Sequence, residues 1–426
     1  MVGHILIMGG NYYWQPALKR LRPEAHTSVL CSVGTLALTR ELEDPTEVLA
    51  LRSNAPVEDW VAAARSLHER RPVDVLASLN DIDQDKAAAV AEALNLPGPS
   101  AETVRWARHK DAMRERLAAR GVENVPYRLV GSLAELEDFF RSAGGPIVVK
   151  PSAGRGSHAI SIASSTAELS RAFERARSWN FGALAPIADP MAERFVPGPE
   201  FSVEAITHRG HHYIVAITEK SKDELTKVEL GHTIPAALDE LTESAITRHT
   251  RAVLDSLDVT SGLTHTEIIV SPDGPVTVET HLRRGGDQIE ELVRDATGVD
   301  LPELFLRQLV GEDVGMRPEL IRCRERPIYR AAAAIRYLAT HASGTLAGVE
   351  GLEAASVRPH VVEVRQLHPE GARVPGLTGS DSRLAWVRVL ADTPGNAARL
   401  AEDVVNGLQI HLIEDGASPR KDGGTT

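Results

Sequence analysis

The stretch Leu263–Asp287 restricts the fold more than any other part of this 426-residue chain. Thr266-Glu267-Ile268-Ile269-Val270 and Pro275-Val276-Thr277-Val278-Glu279 are β-prone runs joined through Ser271-Pro272-Asp273-Gly274. Pro, Asp and Gly in that order suit a type I turn followed by a left-handed Gly274, so the runs should close as an antiparallel hairpin. A loop of Pro272, Asp273 and Gly274 would pair Ser271 with Pro275 and set Glu267 directly opposite Glu279. Like charges facing across a ladder destabilise it. A divalent cation between the carboxylates would remove the conflict, and oxygen ligands of this kind suit Mg²⁺ held together with nucleotide phosphates. A slipped register, or one glutamate left in water, would remove it without an ion.

The residues after Glu279 narrow that choice. Thr280-His281-Leu282-Arg283-Arg284-Gly285-Gly286-Asp287 places an imidazole and a guanidinium shortly beyond the second glutamate. Such cations could simply balance charge on a solvated surface, but the Gly-Gly that follows suits an anion held close to backbone. A second stretch, Pro146–His158, delivers Lys150 from an apolar strand into Gly154-Arg155-Gly156-Ser157. Its amides and hydroxyl could fold over phosphates while Lys150 supplies charge. It is not a Walker A sequence, and alone it reads equally as a turn between strands. A third stretch, Ala192–Glu204, reads as two extended segments paired across Pro197-Gly198-Pro199, with Glu193, Glu200 and Glu204 at strand positions. Alone, it would be an exposed edge with solvated glutamates.

The rest of the chain supplies a scaffold. Candidate strands at Ile5–Met8, Ser28–Cys31, Glu47–Leu51 and Val73–Ala77 alternate with helical patterns at Trp14–Leu21, Val57–Glu69 and Gln84–Leu94. That alternation predicts a doubly wound parallel sheet. Gly9-Gly10 is either a tight turn or a ligand contact at the end of the first strand. Pro97-Gly98-Pro99-Ser100 marks a boundary. The expected division is an α/β domain over 1–107, a central domain over 108–325 with a lid at about 120–195, an α+β lobe over 326–413 and a disordered tail over 414–426. Acidic residues outnumber Lys plus Arg by 59 to 47, which argues against a nucleic-acid partner. No apolar run approaches the ~20 residues that span a bilayer. The N-terminus lacks a leader pattern, and Cys31 and Cys323 fit no metal or redox spacing. A soluble, cytoplasmic protein without a membrane partner is expected.

Taken together in this order and spacing, the strand-borne Lys150 with its Gly-Ser loop, the Glu193-Arg194-Phe195-Val196 segment with Glu200, and the paired glutamates followed by His281 and Arg283 resemble the ATP-grasp superfamily of carboxylate–amine ligases. Lys110 falls where that family has its earlier nucleotide-binding lysine, and the likeness runs from about Lys110 to Gly286. Glu229-Leu230-Gly231-His232-Thr233-Ile234-Pro235 and Arg283-Arg284-Gly285-Gly286-Asp287 are similar to the L-amino acid ligase branch, which joins two amino acids. The segment from Ile328 is similar to that branch's closing lobe. The resemblance implies a mixed α/β and α+β architecture: a parallel-sheet domain, then an ATP-grasp fold whose two subdomains sandwich a nucleotide, then a C-terminal lobe.

It also implies ATP and Mg²⁺ (or Mn²⁺) as cofactors, activation of a carboxylate as an acyl phosphate, and capture by an amine. Small-molecule amino acids are the implied substrates, with a homodimer by analogy. By the same resemblance, Lys110 and Lys150 contact the phosphates beneath Ser157 and the amides of Gly154 and Gly156. Glu193 accepts from the adenine amino group, the backbone of Val196 meets the ring, and Glu200 binds the ribose. Glu267 and Glu279 hold the metal, and Arg283 stabilises the transferring phosphoryl group. His232, Arg284, Gly285 and Glu204 are substrate contacts. His281 stands where most of the superfamily has Asn, and imidazole can ligate metal, donate to phosphate or serve structurally. Purine-pathway and biotin carboxylase-like ligases use the same nucleotide site. A regulatory module without catalysis is a further alternative, against which the intact glutamates and Arg283 argue. With 5 Trp, 6 Tyr and 7 Phe, the chain favours small or polar substrates, and the branch leans toward peptide-like secondary metabolites.

Overall fold

The computed structural model describes residues 2–9, 14–39, 47–79, 81, 83–153, 159–178 and 189–413. They fall into two compact units, one built from Met1–Ile217 with Leu238–Ile328 and the other from Thr218–Ala237 with the chain from Tyr329 onward.

The first unit opens with β1 (His4–Met8), α1 (Trp14–Leu21), β2 (His26–Ser32), β3 (Glu47–Leu51), α2 (Val57–Arg70), β4 (Val75–Ser78) and α3 (Gln84–Ala93). The strands are parallel in the order β3-β2-β1-β4, as the alternating pattern predicts. Every residue of β1 is buried, which explains why it reads as a continuous apolar run. Trp60, Ala64 and Leu67 form the inward stripe of α2 and pack on Leu6, Met8, Leu30 and Leu76. The order reverses at β1, so β1 and β4 end side by side at the point where open α/β sheets characteristically bind ligands.

After α4 (Ala101–Arg108), capped by the Ser100 hydroxyl, His109 is extended and α5 (Lys110–Ala119) begins anew. A four-stranded antiparallel sheet follows, in the order β5-β8-β6-β7. Its strands are β5 (Tyr127–Leu129), β6 (Ile147–Pro151), β7 (Ser161–Ala163) and β8 (Pro190–Arg194). Helices α6 (Leu133–Ala143) and α7 (Thr166–Arg177) close a core of Leu136, Phe139, Ile147, Val149, Leu169 and Phe173.

The expectation that Ala192–Glu204 forms a hairpin is overturned: β8 ends in this sheet, whereas β9 (Glu200–His208) belongs to another. Phe195–Pro199 crosses between them. Its Phe195 amide bonds to the Pro146 carbonyl, and the Val270 amide bonds to the Pro199 carbonyl. Gly198 has φ +150°, and a Cβ there would lie 2.2 Å from the Val270 carbonyl oxygen. The turn therefore docks on a neighbouring strand instead of folding back.

That second sheet of the first unit runs β13-β12-β9-β10, with β10 (His211–Lys222), β12 (Ser261–Ser271) and β13 (Gly274–His281). Helix α8 (Glu240–Ser256) lies between β11 (Glu229–Ile234) and β12 in the chain. Helices α9 (Ile289–Thr297), α10 (Leu301–Leu309) and α11 (Pro318–Arg322) follow β13.

The hairpin β12–β13 forms, but its tip is one residue tighter than expected. Ser271 pairs with Gly274, not Pro275. The Ser271 hydroxyl accepts from the Asp273 amide and donates to the Gly274 carbonyl, which closes the tip over Pro272 and Asp273. The displaced residue reappears as a β-bulge at Val278, between the pairs Ile268–Thr277 and Glu267–Glu279. The two glutamates thus face each other as expected, by a different register.

In the second unit, the end of β10 leads to β11, β14 (Ala332–Leu338), β18 (Ala385–Ala391) and β16 (Val361–Gln366), in that order across the sheet. A smaller sheet runs β17-β15-β19, with β15 (Gly344–Glu350), β17 (Arg373–Val374) and β19 (Gln409–Ile413). Helix α12 (Leu352–Ser356) and helix α13 (Pro394–Val405) bury Ala355, Ala397, Ala401 and Val404 against Ala334, Val387 and Val389. The unit mixes α and β elements and includes Thr218–Ala237, which lies outside the lobe expected over 326–413.

Candidate active site

Two groups of buried charge stand in the first unit. The first is built on β6, β8 and α5. Lys150 on β6 donates to Glu193 Oε1 on β8 at 2.5 Å, the two being diagonal neighbours in the β6–β8 ladder, where Val148 pairs with Glu193 and Lys150 with Met191. Arg114 Nε donates to Glu193 Oε2 at 3.1 Å, and Arg114 Nη1 continues to Glu123 Oε1 at 2.6 Å. Glu123 Oε2 in turn accepts from the Thr277 amide and lies 3.2 Å from His249 Nε2. Burial would raise the Glu193 carboxyl, but Lys150 and Arg114 override it and hold it at about 2. Burial draws the Lys150 ammonium below its ordinary value; Glu193 restores part of this, and Arg114 and Lys110 work against the restoration.

The second group is built on the β12–β13 ladder. Glu267 and Glu279 are direct cross-strand partners, as are His265 and His281 two residues away. Lys110, the first residue of α5, lies 2.6 Å from Glu279 Oε2, and His281 Nε2 lies 2.9 Å from Glu279 Oε1. Burial opposes ionisation of Glu279, yet Lys110 and His281 keep it well below the usual carboxylate range. His265 bridges Glu204 Oε1 at 2.8 Å and Glu267 Oε1 at 3.4 Å. Against burial, Glu204 and Glu267 push that imidazole up to about 10, so it is a cation at neutral pH. His281 is raised as well, with burial opposed by Glu279 and Asp81. The imidazole that replaces the usual Asn is therefore a charge partner of Glu279. Arg283 donates through Nε to Asp81 Oδ2 at 2.5 Å and through Nη1 to the Arg284 carbonyl at 2.6 Å.

Of the expected residues, Lys110, Glu204, Glu267, Glu279, His281 and Gly285 come together in this second group. A Cβ on Gly285 would lie 3.0 Å from Glu204 Oε2 and 3.1 Å from His265 Nδ1. Arg283 joins the group through Asp81, while Arg284 turns to Glu290 on α9 at 2.9 Å. Val196 lies in the crossing segment and Glu200 begins β9. His232 is fully buried on β11 in the second unit, 3.6 Å from Glu229. Gly154, Gly156 and Ser157, like the tail from 414, lie outside the described residues.

Five residues of these groups escaped the sequence reading: Asp81, Arg114, Glu123, His249 and His265. Arg114 carried a signal, because four residues after Lys110 is one turn along the same helix face. His265 carried another, standing two residues before Glu267 on the same strand face. Two adjacent hard-oxygen ligands backed by lysine and arginine can hold a divalent ion and a polyanion together.

Residues 143–291 match the ATP-grasp domain, and residues 336–412 match the L-amino acid ligase C-terminal domain 2. Over 319 residues the chain is 27% identical to an uncharacterized protein of Sinorhizobium fredii, covering 74% of this chain and 63% of that one. Over 297 residues it is 24% identical to the alanine–anticapsin ligase of Bacillus subtilis, covering 65% and 62%. The chain spans about three fifths of the length of these curated relatives. The fold is that of the L-amino acid ligase from Bacillus licheniformis, with a TM-score of 0.77 over 97% of this chain and 99% of that one at 22% identity. Among the described residues, no helix is long and apolar enough to cross a membrane.

Proposed function

Because this chain belongs to the ATP-grasp superfamily and carries the C-terminal domain of the L-amino acid ligases, we propose that it is an ATP-dependent ligase joining the carboxylate of one amino acid to the amine of another. The observation that carries this reading is the direct pairing of Glu267 with Glu279, with Lys110 2.6 Å from the latter. Facing carboxylates require positive charge, and in the protein alone lysine and histidine supply it. Their hard oxygens fit Mg²⁺ or Mn²⁺ and suit softer ions poorly. Glu267 and Glu279 would hold the metal, which neutralises charge on the phosphates when bound.

The remaining roles are those that the family resemblance implies. Lys110 and Lys150 meet the phosphates of ATP, and the loop with Gly154, Gly156 and Ser157 covers them. Val196 and Glu193 meet the adenine, although both Glu193 oxygens already accept from cations, so the base has to share a lone pair. Glu200 takes the ribose. Arg283 stabilises the phosphoryl group in transit. A free carboxylate is a poor electrophile because oxide would have to leave. Transfer of the γ-phosphoryl group makes an acyl phosphate, and attack by the amine expels phosphate to leave an amide and ADP. Water competes with the amine for that intermediate, so the covering loop must close first. Glu204, Gly285 and Arg284 stand on the substrate side.

Phosphate release from Mg-ATP, measured against amino acids singly and in pairs with mass spectrometry of the products, tests this. Release that requires two amino acids, with a product mass equal to their sum minus water, is the expected result. No release from any combination would overturn the amino acid reading and move the search to other carboxylates.

A further inference from the structure

We propose that Asp81, in the N-terminal parallel-sheet region, is a positioning residue that fixes Arg283 for phosphoryl transfer. The proposal rests on the ligase reading above. Asp81 stands in the connection from β4 to α3, beyond the strand ends where the sheet order reverses. It is separated from Arg283 by 202 positions, yet its Oδ2 accepts from Arg283 Nε at 2.5 Å. Its other oxygen lies 3.5 Å from His281 Nδ1. Gln84, the first residue of α3, adds a second tether, its Nε2 donating to the Leu282 carbonyl at 3.0 Å. His281, Leu282 and Arg283 are therefore contacted in succession by Asp81 and by the first residue of α3.

The fixing is directional. Arg283 spends Nε on Asp81 and Nη1 on the Arg284 carbonyl, and among the described residues Nη2 has no protein partner. A planar guanidinium held at both Nε and Nη1 presents Nη2 in a set direction. Without Asp81 the long side chain would have to be ordered as charge develops, a cost that a donor already in place avoids. Asp81 touches neither phosphate nor substrate in this account. It acts through Arg283 and, to a smaller extent, His281.

The test compares the full chain with its Asp81→Asn, Asp81→Ala and Asp81→Glu variants. It measures affinity for MgADP alone, affinity for MgADP with aluminium fluoride as a mimic of the transferring phosphoryl group, and melting temperature. It also follows the ¹⁵N-resolved Nε–H signal of Arg283, assigned by its loss in Arg283→Lys. The expected result is that Asn and Ala variants keep their melting temperature and bind MgADP within about 2-fold of wild type. They should lose about 100-fold in affinity for the fluoride complex, and the Arg283 Nε–H signal should exchange rapidly with solvent. Asp81→Glu, with its charge retained on a longer arm, should recover part of both. Wild-type affinity for the fluoride complex in the Asn and Ala variants would overturn the proposal. So would a fall in melting temperature with equal losses for both ligands, which marks a merely structural role. If the wild-type chain binds no MgADP, the ligase reading fails instead. The Arg283 signal then decides by itself whether Asp81 holds that side chain.

Discussion

Glu193 and Glu279 are both shielded glutamates facing a lysine, and their surroundings differ in how the charge is closed. Around Glu193 each oxygen has its own cation, and Arg114 hands the remaining charge to Glu123, which ends on a backbone amide and His249. Around Glu279 a second carboxylate stands directly opposite, and one lysine and two histidines share the compensation. The first arrangement is complete without a ligand. The second is complete only on loan, because its cations can move aside or give up a proton when a stronger positive charge arrives. Removing a partner from the first should damage the fold, and removing one from the second should damage chemistry while leaving the fold nearly untouched.

Arg114→Met strikes the closed group hardest. It leaves Glu193 and Glu123 buried without their shared cation, and unfolding in urea should show a loss of about 3–5 kcal/mol. Glu267→Gln is the counterpart in the open group. It should lower Mg²⁺-dependent turnover by about 100-fold, equivalent to about 2.7 kcal/mol. Stability in metal-free buffer should stay within about 1 kcal/mol of wild type, or rise as the facing charges are relieved. A large loss of stability from Glu267→Gln would erase the distinction between the groups. Between them, Gly198→Ala tests the crossing segment. With φ at +150° and a carbonyl 2.2 Å from the new Cβ, thermal denaturation should report about 2 kcal/mol of destabilisation.

The smallest effects are those of pH, and they carry opposite signs. Glu193, held at about 2 against an ordinary 4.5, contributes stability that is whole above pH 4.5 and lost as pH falls through 2. Glu290 on α9 is pushed up to about 7, chiefly by burial and then by Glu291, against the pull of Arg284. Its folded form keeps a proton that the unfolded chain releases near 4.5. Its contribution is therefore whole below 4.5 and declines as pH rises to 7 and beyond. Stability curves of wild type and Glu290→Gln should diverge over pH 4.5–7, with the variant the flatter. Parallel curves would remove Glu290 as the source.

The contrast between the two groups also marks what could be read in the chain. Lys150, Glu267 and Glu279 were singled out from strand patterns, whereas Lys110 entered only through the family resemblance. The facing of the two glutamates came out as expected only because the bulge at Val278 offsets the mistaken tip by one residue. The crossing at Phe195–Pro199 was misread because nothing local distinguishes a Pro-Gly-Pro turn that folds back from one that docks on Val270. Asp81 carries no periodicity or motif, and its partner stands 202 positions away. The order β14-β18-β16 was equally hidden, because it depends on which non-adjacent strands bury their faces together.

The Val278 bulge has a practical side. Glu267 itself is pinned from the other edge of β12, where it sits opposite Ser202, with Ile269 opposite Glu200. The spare residue, Val278, lies on β13 between the glutamate pair and the tip, so a change in tip length can be taken up there before it reaches the glutamates. Pro272–Asp273 is thus a natural graft point, where a fluorophore or an affinity tag can be carried with the chemistry left alone.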